Sequence, residues 1–477
     1  MQTRLLTRET GDLLPQDLAR SLSDQLLHTF EAAPQHRFNG APPPSSRPPH
    51  ETDQSARSLR AHTAGVSTLA LEKFDGRLLI SGGLEGSIKI WDLDEPFTPY
   101  VSHVFRPVSG IRRDVTETHT SGGGGHSHGI THLAFYPFDP DAFLSSSYDK
   151  TLKLWATQRA ALTASFDLNA TIYSHAMSPL ADHLLVSCAT QHSNVRLVDL
   201  KSGAAVQALV SHGGPVLCTA WSPRREHILA SGHADGKVRI WDVRRAGGVM
   251  ALLDQEDLIG IKSSEQASRA DASSQSNAQA HDEPVNGLAW TDDGAYIVSA
   301  GLDRKVRVWD AATGANTLAS FGTLIQNQHA RTAAVVVPPS RGSNLLIWPN
   351  DHEILILDLH HGTILTRLRG PLGAGPSTSL CNSTRITTIA WRSHGGGTSP
   401  NGRAGMGGNN SLGAIYSAHA DGQIRAWMPQ VPGSDDVAEV NPVEEADEEK
   451  SRKRKAVDSA YRSLMRREIT FTGNMGR

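Results

Sequence analysis

An all-β protein built as a seven-bladed propeller is the fold this sequence predicts, and three observations predict it. Seven short alternating segments recur: SIKIWD (87–92), TLKLWA (151–156), NVRLVD (194–199), KVRIWD (237–242), KVRVWD (305–310), EILILD (353–358) and QIRAWM (423–428). Each carries the β-branched and aromatic residues that suit a half-buried pleated surface. Their anchor residues Trp91, Trp155, Val198, Trp241, Trp309, Leu357 and Trp427 stand 64, 43, 43, 68, 48 and 70 residues apart, so the bare repeat is 43 residues, the length of one four-stranded blade. Six positions before each anchor stand Glu85, Asp149, His192, Asp235, Asp303, Asp351 and Asp421, acidic in six of the seven repeats.

Composition excludes whole function classes. The chain has 477 residues, 46 Lys+Arg against 49 Asp+Glu, and a net charge of −3, so no wholesale attraction to nucleic acid or membrane is expected. Hydrophobic residues make up 38%, below the usual ~45–50%, which predicts long loops or tails. The 43 glycines fit a turn-rich β protein. Cys188, Cys218 and Cys381 lie too far apart for a disulfide framework or a cysteine zinc site. No long apolar run and no signal-peptide core stand in the sequence, so a soluble, intracellular chain is expected.

In chain order, residues 1–31 hold Leu14, Leu18, Leu22 and Leu26 at four-residue spacing, joined by Leu27 and Phe30 after Pro15, and predict an amphipathic helix. Such a helix either folds back on the ring or lies in a partner's groove. Residues 32–55 include FNGAPPPSSRPPH and read as a proline-rich linker. The ring is expected over 56–429, closed by a strand from 56–61 (ARSLRA), because an open sheet edge invites aggregation. The excess over the 43-residue period places insertions at about 95–128, 251–280 and 393–412. The second is low-complexity and polar (SSEQASRADASSQSNAQA), the composition of a disordered loop. Blades 3 and 6 lack the anchor Trp, and Asn382 stands where a histidine is expected, so blade 6 (332–359) carries the weakest signature.

Residues 430–477 form an acidic and then basic tail expected to be disordered. Glu444, Glu445, Asp447, Glu448 and Glu449 precede KSRKRK, whose Lys450, Arg452, Lys453, Arg454 and Lys455 suit a nuclear import signal or a non-specific phosphate contact. A nuclear protein is expected.

Histidines precede several anchors by 27 to 29 residues (His62, His128, His212, His281), and a hydroxyl or small residue follows on the next strand, such as Thr68 or Cys218. Repeats of the WD40 type use an Asp–His–Ser/Thr–Trp chain of hydrogen bonds to tie turn to strand, and buried polar groups need such partners. The sets predicted on this pattern are His62, Thr68, Glu85 and Trp91; Asp149 and Trp155; His212, Asp235 and Trp241; and His281, Asp303 and Trp309. A catalytic triad would be one departure from the repeat. These residues are the repeat itself, so no catalytic site is assigned. His119, His126, His128 and His132 sit beside a glycine run without a carboxylate or thiol, and no metal or cofactor is expected.

One arginine stands apart. Arg244 follows Asp242 in WDVR, a spacing no other blade repeats, and presents a planar, always charged fork at one rim. Arg106, Arg112 and Arg113 in the first insertion are basic loop residues open to acidic or nucleic-acid partners.

The segments WSPRREHILASGHADGKVRIWDVRRAGG (221–248), LSSSYDKTLKLW (144–155), TIYSHAMSP (171–179), VNGLAWTDDG (285–294) and TRETG (7–11) resemble the Cockayne syndrome A family of WD-repeat excision-repair proteins. The low-complexity insertions and basic tail depart from it and point to a divergent, fungal-type relative. The resemblance implies a non-catalytic substrate receptor of a cullin-RING ubiquitin ligase in transcription-coupled nucleotide excision repair. By that likeness Leu18, Leu22 and Leu26, with Asp242 and Arg244, would dock on the damaged-DNA-binding propeller adaptor. The other face would hold a Cockayne syndrome B type translocase at stalled RNA polymerase II. Direct DNA contact is left open. The rival reading is a nuclear scaffold in chromatin or RNA processing without a ligase.

Overall fold

The computed structural model describes residues 27–41, 59–94, 103–114, 124–180, 183–245, 249–257, 278–328, 335–337, 345–370, 385–392 and 414–429. The chain is an all-β, seven-bladed β-propeller. Each blade is an antiparallel sheet, its strands lettered A to D here from the centre outward. Blade 1 is Val66–Leu71, Leu78–Gly83, Ile88–Asp92 and Pro107–Ile111; blade 2 is Ile130–Phe135, Ala142–Ser147, Thr151–Ala156 and Ala161–Asp167. Blade 3 is Ile172–Met177, Leu185–Thr190, Val195–Asp199 and Ala204–Leu209; blade 4 is Val216–Trp221, Ile228–His233, Val238–Asp242 and Val249–Leu252. Blade 5 has Val285–Trp290, Tyr296–Gly301 and Val306–Asp310, its outer edge marked by a bridge from Trp309 to Asn316. In blade 6 the sheet Leu345–Pro349, Glu353–Asp358 and Ile364–Arg369 supplies B to D, and Val336 bridges Ile347 in the A position. The blade with the weakest signature is thus present as a sheet, with 335–337 the described part of its inner position.

The closing strand corrects the expectation drawn from the sequence. Phe30–Ala32 pairs antiparallel with Ile424–Pro429 (Phe30 opposite Pro429, Ala32 opposite Trp427) and completes blade 7 as its outermost strand, beyond Ile386–Arg392, Ala414–His419 and Ile424–Pro429. Residues 56–58 lie outside the described residues, and 59–61 carry no strand. Phe30 and Leu27 were placed on a helix by their spacing. Leu27 is helical and Phe30 opens the closing strand; both are 4% exposed and pack among Leu345, Ile354, Ile415 and Trp427, with Phe30 5.9 Å from the Trp391 ring.

The start of the expected linker is also ordered. His36–Phe38 pairs in parallel with His103–Phe105, inside the first insertion. Phe38 then packs edge-on against Trp91 at 5.2 Å, flat on Phe105 at 4.9 Å and edge-on to Tyr416 at 6.1 Å. One strap thereby runs from the edge of blade 7 to blade 1 across the seam where the ring closes. Likewise Pro107–Ile111 and Val249–Leu252, parts of the expected insertions, are the outer strands of blades 1 and 4. The 393–412 insertion lies outside the described residues, between strands A and B of blade 7. The chain divides into Met1–Pro429 and Gln430–Arg477; Leu18, Leu22, Leu26 and the 450–455 run lie outside the described residues.

Inner strands keep one register around the ring. Ser67 Oγ donates to the Ile130 carbonyl at 2.7 Å and Thr387 Oγ1 to the Val66 carbonyl at 2.6 Å, the same position one blade apart. Trp221 Nε1 and Trp290 Nε1 donate back to the Ala176 and Ala220 carbonyls of the preceding blades. All A strands therefore run the same way. The A–B and C–D connections leave one rim, and the B–C and D–A connections leave the other.

Candidate functional site

The conserved-looking polar residues resolve into two hydrogen-bond schemes that brace the blades. In blade 1 His62 Nδ1 meets Glu85 at 2.6 Å, His62 Nε2 meets Ser81 Oγ at 2.7 Å, and Trp91 Nε1 donates to Ser81 at 2.8 Å. Blade 2 repeats this with His126, Asp149, Ser145 and Trp155, and blade 5 with His281, Asp303, Ser299 and Trp309. The partners assign the protons: indole to serine, serine to Nε2, Nδ1–H to carboxylate. Burial pushes the His62, His126 and His281 rings below their ordinary range, so they stay neutral. Burial alone would raise the Glu85 carboxyl, but the His62 ring and Ser87 hydroxyl hold it at about 2; Asp149 and Asp303 are held low in the same way.

Three expected members are corrected. Thr68 is not the bridging hydroxyl of blade 1, because it sits on strand A; Ser81 on strand B faces both His62 and Trp91. His126, not His128, enters blade 2, since His128 is exposed and bonded to Ser127. His212 is exposed and leaves the blade 4 network to its backbone carbonyl, which accepts from Arg239 at 2.7 Å. There the second scheme operates. His233, two residues after Ser231, takes the imidazole place at 2.8 Å, Trp241 donates to Ser231, and Arg239 neutralises Asp235 at 2.7 Å. Blade 7 repeats it with Ser417, His419, Trp427, Asp421 and Arg425. The missed serines all stand ten residues before their tryptophan, a spacing legible in the sequence. Also missed is the cation two residues before the anchor: Lys89 and Lys153 cap loop carbonyls in the blades without an arginine there.

The B–C turns are tight enough to need a left-handed residue after the acid. Gly86, Gly236 and Gly422 take φ of 88°, 80° and 83° there, and a Cβ on Gly422 would lie 2.4 Å from the His62 carbonyl of the next blade. Blades 2 and 5 hold Lys150 (φ 69°) and Arg304 (φ 61°) at the same place. A side chain in that region costs roughly 1–2 kcal/mol, so something other than backbone ease keeps these cations there.

On the A–B/C–D rim, Asp242 is nearly buried and Arg244 folds onto it through Nε at 3.0 Å and a second nitrogen at 2.9 Å, with its side chain 65% exposed. The Arg244 fork holds the Asp242 carboxyl at about 2. Blade 1 builds the same pair from different sequence, with Arg77 of the A–B loop on Asp92. Around these pairs the rim exposes Phe74, Phe138 and Leu184 on the A–B loops of blades 1 to 3, and Val249 and Met250 beside Arg244 on blade 4. Between blades 4 and 5 it opens into a cleft of about 630 Å³, bordered by Arg224, Arg225, Met250, Trp290 and Tyr296. Arg106 is also exposed, beside the first residue of strand D in blade 1, whereas Arg112 and Arg113 follow its last residue and lie on the opposite rim.

Two histidines on neighbouring inner strands belong to neither scheme. His132 and His175, on the A strands of blades 2 and 3, stand edge to face at 4.7 Å, and His175 Nδ1 meets Ser146 Oγ at 3.0 Å. His132 Nδ1 and His175 Nε2 have no partner. Burial pushes His132 down to about 4, and burial with the nearby His132 and His126 pushes His175 well below its ordinary range. The unfolded chain therefore takes up these protons first, and stability is lost as pH falls from about 6.5 toward 4, by on the order of 3 kcal/mol for His132 alone. Thermal unfolding of His132→Phe against the unmodified chain across that range is expected to give a shallower acid limb; parallel curves would refute the assignment.

Among the described residues no group of three or more His, Cys, Asp or Glu is arranged to hold a metal. Cys188 and Cys218 are free, and burial pushes the Cys188 thiol up to about 12 and Cys218 higher, so neither is a nucleophile. Among the described residues no helix is long and apolar enough to cross a membrane.

Comparison with known proteins agrees with this geometry. The "WD domain, G-beta repeat" family model matches residues 53–92, 118–156, 203–242 and 273–310. The chain is 29% identical over 316 residues to the WD repeat-containing protein ATCSA-1 of Arabidopsis thaliana, covering 55% of this chain and 69% of that protein. It is 28% identical over 245 residues to the Radiation-sensitive protein 28 of Saccharomyces cerevisiae, covering 49% and 48%, and 28% identical over 284 residues to the Ribosome biogenesis protein YTM1 of Yarrowia lipolytica, covering 53% and 51%. The matches thus span about half the length of the two fungal relatives. The matched repeat family is generally one of non-catalytic adaptors. Repeat period, blade topology and the tryptophan-anchored networks make this chain a WD40-repeat β-propeller, similar to the WD repeat-containing protein ATCSA-1 and the Radiation-sensitive protein 28.

Proposed function

We propose that this chain is the substrate-placing subunit of a cullin-RING ubiquitin ligase in transcription-coupled nucleotide excision repair. It docks on the damaged-DNA-binding propeller adaptor through the A–B/C–D rim, and the Leu18, Leu22 and Leu26 stripe joins that contact. The observation that carries the reading is the exposure of Phe74, Phe138, Leu184, Val249 and Met250 on the rim of the Asp242–Arg244 pair, against Leu84 and Val210 on the other rim. Exposed apolar residues grouped on one surface mark partner sites, and an arginine fork at their border suits a bidentate acceptor. A Cockayne syndrome B type translocase and RNA polymerase II are the machines held nearby. Placement raises effective concentration, so this subunit needs no catalytic group of its own.

The test is a pull-down of the adaptor by Arg244→Glu combined with Leu22→Asp. Binding is expected to fall more than tenfold, and undiminished capture rejects the docking surface. The Lys450–Lys455 run is proposed as the nuclear import signal; removing residues 450–455 is expected to leave the protein cytoplasmic, and unchanged nuclear retention retires that role. The similarity to a ribosome biogenesis protein supports a second reading, a nuclear scaffold in RNA processing without a ligase. Co-purification of a cullin separates the two.

A further inference from the structure

We propose that the B–C/D–A rim over blades 1 and 2 contacts the phosphate backbone of duplex DNA through Arg60, Arg112, Arg113 and Lys150. All four are exposed, and none makes an ion pair or side-chain hydrogen bond among the described residues. The two turn carboxylates of this sector, Glu85 and Asp149, point inward and are occupied by His62 and His126. Asp114 is half-buried. Among the described residues the sector therefore presents four exposed cations against one exposed carboxylate, Asp167 at the end of strand D of blade 2, opposite Thr151. Across the ring the same rim is mixed, with Glu256, Asp282 and Glu283 exposed beside Arg304 and Lys305.

Lys150 adds an independent observation. It occupies the left-handed turn position that glycine fills in blades 1, 4 and 7, and a strained side chain retained at a surface turn points to a use for it. The exposed phenylalanines, Phe74 and Phe138, lie on the other rim, and the aromatic rings described in this sector are the half-buried Tyr148 and the exposed His128. Cations that outnumber the stacking rings fit a duplex backbone better than a single strand. Such binding carries no sequence preference and weakens with salt. It uses the rim opposite Arg244, so DNA and a partner docked there can be held together.

The experiment is fluorescence anisotropy with a short DNA duplex at several salt concentrations. It uses the full chain with Lys450, Arg452, Lys453, Arg454 and Lys455 changed to Ala, which removes the tail's own contribution. Adding R112E, R113E and K150E is expected to weaken binding at least tenfold and flatten the log–log salt slope by about 3. Lys150→Gly alone is expected to weaken binding while raising Tm, because glycine relieves the turn. Arg304→Gly, at the equivalent turn outside the sector, should raise Tm without changing affinity. Unchanged affinity and slope in the triple variant would overturn the proposal. So would tighter binding of a single strand or of a polyglutamate peptide than of the duplex.

Discussion

Asp303→Ala is expected to destabilise the propeller by about 3–5 kcal/mol, because it leaves two buried partners uncompensated. Asp303 accepts from His281 Nδ1 at 3.0 Å and from Arg307 at 3.0 Å, and its side chain is 5% exposed. Removing the carboxylate strands the Arg307 guanidinium beside a neutral imidazole and frees the turn amide of Lys305. A drop in the thermal midpoint of roughly 5–10 °C follows from that magnitude. Asp303→Asn keeps an acceptor and should lose less. Equal midpoints for Asp303→Ala and the unmodified chain, by differential scanning fluorimetry at neutral pH, would show that the network contributes nothing to holding the blade.

Phe38→Ala is the second large effect. The ring is 2% exposed and touches the aromatic rings of Trp91, Phe105 and Tyr416, which belong to blade 1, the first insertion and blade 7. Truncation costs the transfer of a phenyl group and leaves a cavity, about 3–5 kcal/mol together. It should also loosen the strap, since His36–Phe38 has only the three-residue pairing with His103–Phe105 to replace that packing. Limited proteolysis is expected to cut the variant near residues 39–41 while the unmodified chain resists. Phe38→Leu should recover most of the resistance. A cleavage pattern identical for all three would mean the strap does not close the seam.

The ring was legible because its repeats are covalent copies of one physical solution. Trp91, Trp155, Trp241, Trp309 and Trp427 are all buried to within 2% exposure, and their spacing together with that of Val198 and Leu357 sets the blade count. The carboxylates six residues earlier were legible for the same reason. What misled was local ambiguity. Phe30 stands three residues after Leu27, a helical spacing, and only its pairing with Pro429 at the outer edge of blade 7 makes it strand. The bridging hydroxyl was taken as Thr68 because it follows His62 on the next strand; the strand alternation that turns Ser81 toward Trp91 needs the sheet register. Blades 4 and 7 hid their imidazole in Ser-x-His, two residues from the serine, where a search at 27 to 29 residues before tryptophan does not look. Arg244 was legible as a departure from the repeat, but its partner chemistry was not unique, since Arg77 reaches Asp92 from another loop.

The central claim is that this wheel works by presenting one rim to a ligase adaptor. Hydrogen–deuterium exchange of the full chain, with and without the purified adaptor, tests it most directly. Slowed exchange in the connections at 72–77, 136–141 and 242–245, with the turns at 84–87 and 148–151 unchanged, is the predicted result. Protection confined to those turns would contradict it.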